Sequence, residues 1–129
     1  MPRFGDLEAA IMDQVWALGD PVRVRDVLEE LQRSPVPAYT TVQTVMDILF
    51  RKGWLTRRKR GRVNLYAAAA SREDYVAQLM GEALAEAKDR SAVLVRLVGE
   101  MDPVESAELR TLLEAARSDR SDPDSEGAQ

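Results

Sequence analysis

Apolar residues recur every three or four positions in three stretches of the first half of the chain, at about residues 6–18, 24–32 and 40–52. This spacing is typical of an amphipathic helix with one buried face. Each stretch is followed by residues that end helices, which are Gly19-Asp20-Pro21, Ser34-Pro35-Val36-Pro37 and Gly53. Thr40 and Gln43 fit a capping box, so we expect the third helix to begin at Thr40.

After Gly53 the pattern changes from helical spacing to alternation. Trp54–Lys59 and Arg62–Ala67 have the character of two short strands on either side of a turn at Gly61. Three helices followed by a β-hairpin form the order of elements of a winged helix-turn-helix domain. We therefore predict a fold that is mainly α, with a small β-wing of two to three strands.

Three more helical stretches follow Ser71, and they carry more apolar surface than they can bury. The first begins with a Ser71–Asp74 cap, and Asp102 caps the last. Between them, Ala92–Val98 is apolar almost all round, so we expect it to be buried from several sides. Residues 71–117 are too few to enclose such faces alone, and a second copy of the segment would cover them. We therefore predict a symmetric dimer, with an interface formed by Tyr75, Val76, Leu79, Met80, Ala83, Leu84, Val93, Leu94, Leu97, Val98, Leu109, Leu112 and Leu113.

Charge is distributed unevenly along the chain, although the net charge is only −4. Residues 1–67 contain 11 Lys and Arg against 8 Asp and Glu, and residues 68–129 contain 7 against 14. The cations concentrate at residues 51–62, where seven occur with no acid among them. We expect a polyanion opposite this segment, and an acidic second half that repels non-specific DNA.

The third helix presents a polar face beside these cations. Hydroxyl and amide groups can hydrogen-bond base edges in the major groove, and threonine methyl groups can contact thymine methyls. The residues assigned to DNA binding on this helix are Tyr39, Thr40, Thr41, Gln43, Thr44, Arg51 and Lys52. Those assigned on the wing, as phosphate contacts, are Arg57, Arg58, Lys59, Arg60 and Arg62. Because strand residues alternate in direction, not all of the wing cations can reach DNA, and we expect Arg60 and Arg62 at the tip to do so.

These assignments divide the chain into three parts. Residues 1–69 form the predicted winged-helix DNA-binding domain, residues 70–117 a helical dimerisation domain, and residues 118–129 a disordered tail. No apolar run has the length of about 20 residues that a membrane span requires. The N-terminus lacks the apolar core of a signal peptide. We expect a cytoplasmic protein without membrane insertion.

The absence of Cys and His excludes several chemistries. Disulfides, thiol nucleophiles, Cys/His zinc sites and Ser-His-Asp catalysis all require these residues. The acids Glu82, Glu86, Glu105 and Glu108 are most simply exposed helix charges. We therefore predict no enzyme activity, no cofactor and no metal site. The alternative to a DNA-binding protein is a winged-helix module whose wing binds an acidic protein partner.

Two segments of the sequence resemble the penicillinase repressor (BlaI/MecI) family. One is Leu7-Glu8 followed by Ile11-Met12-Asp13 and Val15-Trp16, and the other is Tyr39-Thr40-Thr41-Val42 followed by Thr44-Val45. A basic hairpin that ends in Leu65-Tyr66-Ala67-Ala68 completes the likeness. The resemblance covers residues 5–70, and residues 71–117 by their helix pattern.

The resemblance implies a dimeric winged-helix transcriptional repressor whose third helix enters the major groove of a palindromic operator with TACA/TGTA-like half-sites. It implies control of β-lactamase or other stress and resistance genes. It further implies relief of repression when a membrane sensor protease of the BlaR/MecR type cleaves the dimerisation domain. Where the family has an Asn-Phe cleavage pair, this sequence has Arg96-Leu97. Ile48 stands where relatives often have Arg, and the Cys-rich C-terminus of copper-responsive relatives is absent.

Overall fold

The computed structural model describes residues 3–19 and 21–121. Three helices precede a β-hairpin and three helices follow it, in the order α1 (Asp6–Leu18), α2 (Val24–Glu30), α3 (Tyr39–Arg51), β1 (Leu55–Arg60), β2 (Val63–Ala68), α4 (Arg72–Ala85), α5 (Arg90–Gly99) and α6 (Pro103–Ser121). This architecture confirms the predicted mainly α, winged helix-turn-helix fold. None of the helices in the described ranges is both long and apolar enough to cross a membrane.

The first three helices and the hairpin share one apolar core. Its members with no exposed area are Ile11, Met12, Val27, Val42, Met46, Leu49 and Tyr66. On α3 the buried residues Val42, Met46 and Leu49 are spaced by four and three positions, so they lie on one face. Burial of each such side chain contributes about 1.5–3 kcal/mol. One face of α3 is thereby fixed to the core, and the opposite face is left for other contacts.

The wing is an antiparallel hairpin with a one-residue third strand. Leu55 pairs with Ala68 and Arg60 with Val63, so the turn lies at Gly61 and Arg62. Gly61 has a φ of 64°, in the left-handed region that favours glycine. Val22 adds to the edge of β2, because its N–H donates to the carbonyl of Tyr66 at 2.7 Å and its carbonyl accepts from the Tyr66 N–H at 2.8 Å.

The first turn of α4 packs onto the winged helix through an aromatic cluster of Phe4, Trp16, Trp54 and Tyr75. The rings of Phe4 and Tyr75 are stacked with centroids 4.0 Å apart, and the Phe4 N–H donates to the Tyr75 hydroxyl at 2.8 Å. The indole N–H of Trp16 donates to the carbonyl of Ala70 at 2.9 Å. Tyr75 had been assigned to the dimer interface, but its ring packs within its own chain because Phe4 and Trp54 surround it.

The chain forms two compact units, Met1–Ala83 and Leu84–Gln129. The first unit extends beyond residue 69, where the sequence suggested a boundary, because Tyr75 and its neighbours on α4 pack with the winged helix. In the second unit Asp89 caps α5 by accepting from the Ala92 N–H at 3.1 Å. Asp102 caps α6 by accepting from the Glu105 N–H at 2.9 Å, as the sequence predicted.

Many apolar residues of α4, α5 and α6 are exposed, although Tyr75 of α4 packs in the aromatic cluster. No described residue of these helices is fully buried. The segment Ala92–Val98, predicted to be buried from several sides, is exposed throughout, with Val95 at 71%.

Two helix ends differ from the sequence prediction. Helix α3 begins at Tyr39 with Ala38 as its N-cap and no side-chain cap, so the predicted capping box of Thr40 and Gln43 is wrong. The extended backbone of Ala38 starts the helix one residue earlier than expected. Helix α6 continues to Ser121, into the tail predicted to be disordered from Ser118, because no helix breaker precedes Pro123. The rest of that predicted tail, residues 122–129, lies outside the described residues.

Candidate nucleic-acid interface

The polar face of α3 is open to solvent. Tyr39, Thr40, Thr41, Thr44 and Arg51 are exposed. Their position follows from the burial of the opposite apolar face, which fixes the rotation of the helix about its axis. All residues that the sequence assigned to DNA binding on this helix are therefore exposed, apart from half-buried Gln43.

Thr44 has a restricted hydrogen-bonding role. Its hydroxyl donates to the backbone carbonyl of Thr40, one turn earlier, at 2.9 Å. The hydroxyl proton is thus already used, while the oxygen lone pairs and the methyl group remain available. Thr44 can accept a hydrogen bond from a base amino group or contact a thymine methyl.

Two of the predicted DNA-binding cations are paired with acids inside the domain. Lys52 Nζ lies 3.0 Å from Oε2 of Glu8 on α1, and Arg57 Nη1 lies 3.0 Å from Oδ1 of Asp47 on α3. Partial burial acts to raise the pKa of Glu8, but the hydrogen bonds from the Gly5 N–H and from Lys52 hold it below its ordinary value. Two of the seven cations are therefore neutralised within the domain, because Glu8 of α1 and Asp47 of α3 lie beside Lys52 and Arg57.

The remaining cations of the cluster are Arg51, Arg58, Lys59, Arg60 and Arg62. All five are exposed, and within residues 3–19 and 21–121 no acid forms a salt bridge with them. Their positive charge is therefore not neutralised by an acid of the described residues.

Alternation along the strands divides the wing cations between two faces. Arg57 lies opposite Tyr66 on the face that contacts α3, and Lys59 follows on the same face. Arg58 and Arg60 lie on the other face, beside a surface groove near the start of α2. The alternation expected from the strand pattern is present, and which of these cations contact DNA stays a prediction.

Arg62 lies where the wing meets α3. It lines a cleft of about 110 Å³ together with Tyr39 and Gln43 of α3 and Asn64 of β2. The cleft brings a wing cation next to polar side chains of the helix. Asn64 had not been assigned a role from the sequence, although alternation with buried Tyr66 could have placed it on the inner face of the wing.

Asp47, to which no role was assigned from the sequence, connects α3 to the wing. Its Oδ1 atom accepts from the hydroxyl of Tyr66 and from Nη1 of Arg57. Burial and the nearby Asp47 carboxylate raise the pKa of Tyr66 to about 12, so its hydroxyl remains a donor at neutral pH. The guanidinium of Arg57 lies 4.3 Å from the centroid of the Phe50 ring.

No metal centre is formed in the part of the chain that the structure describes. Within it, no three acidic side chains are grouped closely enough to hold an ion. The acids Glu86, Glu105 and Glu108 are exposed helix charges, as expected from the sequence, whereas Glu82 is half-buried.

The fold and this surface together define a class of protein. A helix-turn-helix whose second helix exposes a polar face, beside a hairpin with unpaired cations, is the architecture of a winged-helix DNA-binding protein. The family model described as "Penicillinase repressor" matches residues 4–115. The chain belongs to this family of DNA-binding transcriptional repressors, and the members of the family are regulators and not enzymes.

Individual relatives agree with this assignment. The chain is 40% identical over 116 residues to the transcriptional regulator BlaI of Mycobacterium tuberculosis strain H37Rv. The aligned region covers 88% of this chain and 84% of that protein. It is 29% identical over 76 residues to the penicillinase repressor of Bacillus licheniformis, which covers 59% of each chain. The solution structure of the monomeric form of Bacillus licheniformis BlaI in complex with the blaP half-operator has 30% sequence identity and a TM-score of 0.47, over 57% of this chain and 89% of that one.

Proposed function

We propose that the protein represses transcription as a cytoplasmic homodimer bound to a palindromic operator. Helix α3 of each protomer lies in a major groove, and each wing contacts the adjacent phosphate backbone. The observation that carries this proposal is the cleft in which Arg62 of the wing lies beside Tyr39 and Gln43 of α3. A base-reading surface and a phosphate-binding cation are there on one continuous face.

Sequence preference comes from α3. Thr40, Thr41, Gln43 and Thr44 supply the base contacts. Thr44 acts as an acceptor or through its methyl group, because its hydroxyl already donates to the Thr40 carbonyl. Such contacts suit half-sites of the TACA/TGTA type, which combine adenine amino groups with thymine methyls.

Affinity comes mainly from the wing and the end of α3. Arg60 and Arg62 at the tip, with Arg51, Arg58 and Lys59, neutralise phosphates and release counterions, so binding weakens steeply with salt. Lys52 and Arg57 contribute less, because Glu8 and Asp47 already neutralise them.

The second part of the proposal is a dimer formed through residues 70–117. Helices α5 and α6 border an apolar groove of about 340 Å³ that Val98, Leu109 and Leu113 line, and Arg110 and Glu114 lie at its edge. A soluble chain rarely leaves this much aliphatic surface in water. The second copy covers the residues assigned to the interface from the sequence, except Tyr75, whose ring is occupied within its own chain.

Relief of repression is proposed to follow cleavage between Arg96 and Leu97 by a membrane sensor protease of the BlaR/MecR type. Both residues are exposed and lie within α5, so cleavage requires local opening of that helix. The cut would separate α6 from the rest of the interface, and the weakened dimer would release the DNA. The regulated genes would be β-lactamase or other resistance genes.

The test of DNA binding is a fluorescence anisotropy titration with a synthetic duplex that carries TACA and TGTA in dyad arrangement, called here the operator duplex. We expect binding that a scrambled duplex does not compete away and that weakens as salt rises. Absent or salt-insensitive binding, to this duplex and to DNA upstream of the gene, would favour a wing that binds an acidic protein instead.

Sedimentation of the full chain tests the dimer independently. We expect a dimer at micromolar concentration and a monomer for Leu113→Asp, because a carboxylate in the apolar groove is desolvated without a partner. Val104→Asp is the matched control, since Val104 is exposed on the same helix and is outside the proposed interface. A wild-type monomer at micromolar concentration would contradict this part of the proposal.

A further inference from the structure

Asp47 places a negative charge on the side of α3 proposed to face DNA. It follows Thr44 by three residues and precedes Arg51 by four, so the three side chains lie along one side of the helix. A carboxylate in this position repels phosphates. The contacts of Asp47 within the domain indicate a structural role that offsets this repulsion.

Asp47 joins the helix to both strands of the wing. One of its oxygens accepts from the Tyr66 hydroxyl on β2 and from Arg57 Nη1 on β1, the latter at 3.0 Å. Arg57 and Tyr66 are cross-strand partners in the hairpin. The Arg57 guanidinium also lies over Phe50 of α3, so β1 is fixed to the helix at two neighbouring points.

The ion pair is too exposed to act mainly on stability. The side chains of Arg57 and Asp47 are 36% and 31% exposed, and water and salt screen the attraction at that exposure. Tyr66, by contrast, has no exposed area, and its ring cannot move without opening the core. The ion pair therefore contributes little to overall stability, and its role is sought in the contacts that join the wing to α3.

We infer that Asp47 is a positioning residue for DNA binding, which holds the wing at one angle to α3 through Arg57 and Tyr66. The tip cations then reach the phosphate backbone while α3 lies in the groove. This inference rests on the proposed function. It also gives Arg57 a role within the protein in place of a phosphate contact.

The opposing explanation predicts an effect of opposite sign. If Asp47 only repelled DNA or masked Arg57, Asp47→Asn would tighten binding, because one negative charge is lost and one arginine becomes free for a phosphate. If Asp47 positions the wing, the same change weakens binding although the charge balance becomes more favourable.

The experiment measures the binding of full-length variants to the operator duplex at several salt concentrations. We expect Asp47→Asn to bind about tenfold more weakly, and Tyr66→Phe, which changes no charge, about threefold more weakly. We also expect the slope of log Kd against log salt to fall by about 1 in Asp47→Asn, because wing cations leave the phosphates. Glu30→Gln is the matched control, since it removes the same charge from an exposed position on α2 and is expected not to weaken binding.

A second measurement uses the free protein. Amide hydrogen exchange in β1 and β2 is expected to be faster in Asp47→Asn and in Tyr66→Phe, with exchange in α1 unchanged. Equal wing exchange in all three proteins, or unchanged or tighter DNA binding by both variants, would overturn the inference. Failure of the wild-type protein to bind the operator duplex would instead overturn the proposed function.

Discussion

Tyr75 offers a direct test of whether α4 begins inside the DNA-binding unit. Tyr75→Ala removes a ring that stacks on Phe4 at 4.0 Å and a hydroxyl that accepts from the Phe4 N–H at 2.8 Å. Truncation of a fully buried aromatic ring costs about 3–5 kcal/mol, and Tyr75 is half-buried, so packing accounts for about 2 kcal/mol. The lost hydrogen bond adds about 1 kcal/mol. We expect Tyr75→Ala to lower the free energy of unfolding by about 3 kcal/mol, and Tyr75→Phe by about 1 kcal/mol.

Urea unfolding followed by tryptophan fluorescence measures this effect locally. The chain contains two tryptophans. Their ring centroids, at Trp16 and Trp54, lie 6.1 Å and 5.3 Å from that of Tyr75. Gln78→Ala is the control, since Gln78 is exposed on the same helix and its loss is expected to change stability by less than about 0.5 kcal/mol. If Tyr75→Ala matched Gln78→Ala in midpoint and left the fluorescence spectrum unchanged, the placement of Tyr75 in this cluster would be refuted.

Three further predictions concern DNA binding and pH. Thr44→Val keeps a methyl group but loses the acceptor oxygen. If that oxygen accepts from a base, the change is expected to reduce discrimination between the operator duplex and the scrambled duplex by about 1–3 kcal/mol. Unchanged discrimination in titrations of both duplexes would assign the contact to the methyl group. Arg62→Gln is expected to lower the slope of log Kd against log salt by about 1. Lys52→Gln is expected to leave the slope almost unchanged, because Lys52 is paired with Glu8. Equal slopes in the two variants would contradict the assignment of the phosphate contact to Arg62 and not to Lys52. Because the pKa of Tyr66 is raised from 10.0 to about 12, its neutral form contributes stability that is complete below pH 10 and is lost as the pH rises to about 12. The free energy of unfolding should therefore fall less over that range in Tyr66→Phe than in the wild type, and parallel pH profiles of unfolding would contradict the raised pKa.

Local patterns in the sequence were sufficient to predict the helices and several of their ends. The spacing of Val42, Met46 and Leu49 fixed which side of α3 is buried, and hence which side is open. The cap of α4 was also local: Ser71 and Asp74 exchange backbone-to-side-chain hydrogen bonds at 2.9 and 3.0 Å. Signals that span a few residues depend little on the rest of the fold.

Contacts between residues that are far apart in the sequence could not be predicted from such local patterns. Glu8 and Lys52 are separated by 44 positions, and no periodic pattern relates them. Phe4 and Tyr75 are 71 positions apart, so Tyr75 looked like an unpaired apolar residue of a short helix. Residues 51–62 contain no acid, as counted from the sequence. That count could not include Glu8 and Asp47, which α1 and α3 place beside Lys52 and Arg57.

The hydrogen bonds of the segment that joins β2 to α4 bear on how the proposed dimer can adapt to different operators. Residues Ala69, Ala70 and Ser71 are each held in place: the Ala69 N–H donates to the Trp54 carbonyl, the Ala70 carbonyl accepts from Trp16, and Ser71 caps α4. A junction held by these bonds does not act as a hinge. In the proposed dimer on a palindromic operator, adaptation to different distances between half-sites would therefore come from the chain beyond Ala83 or from bending of the DNA.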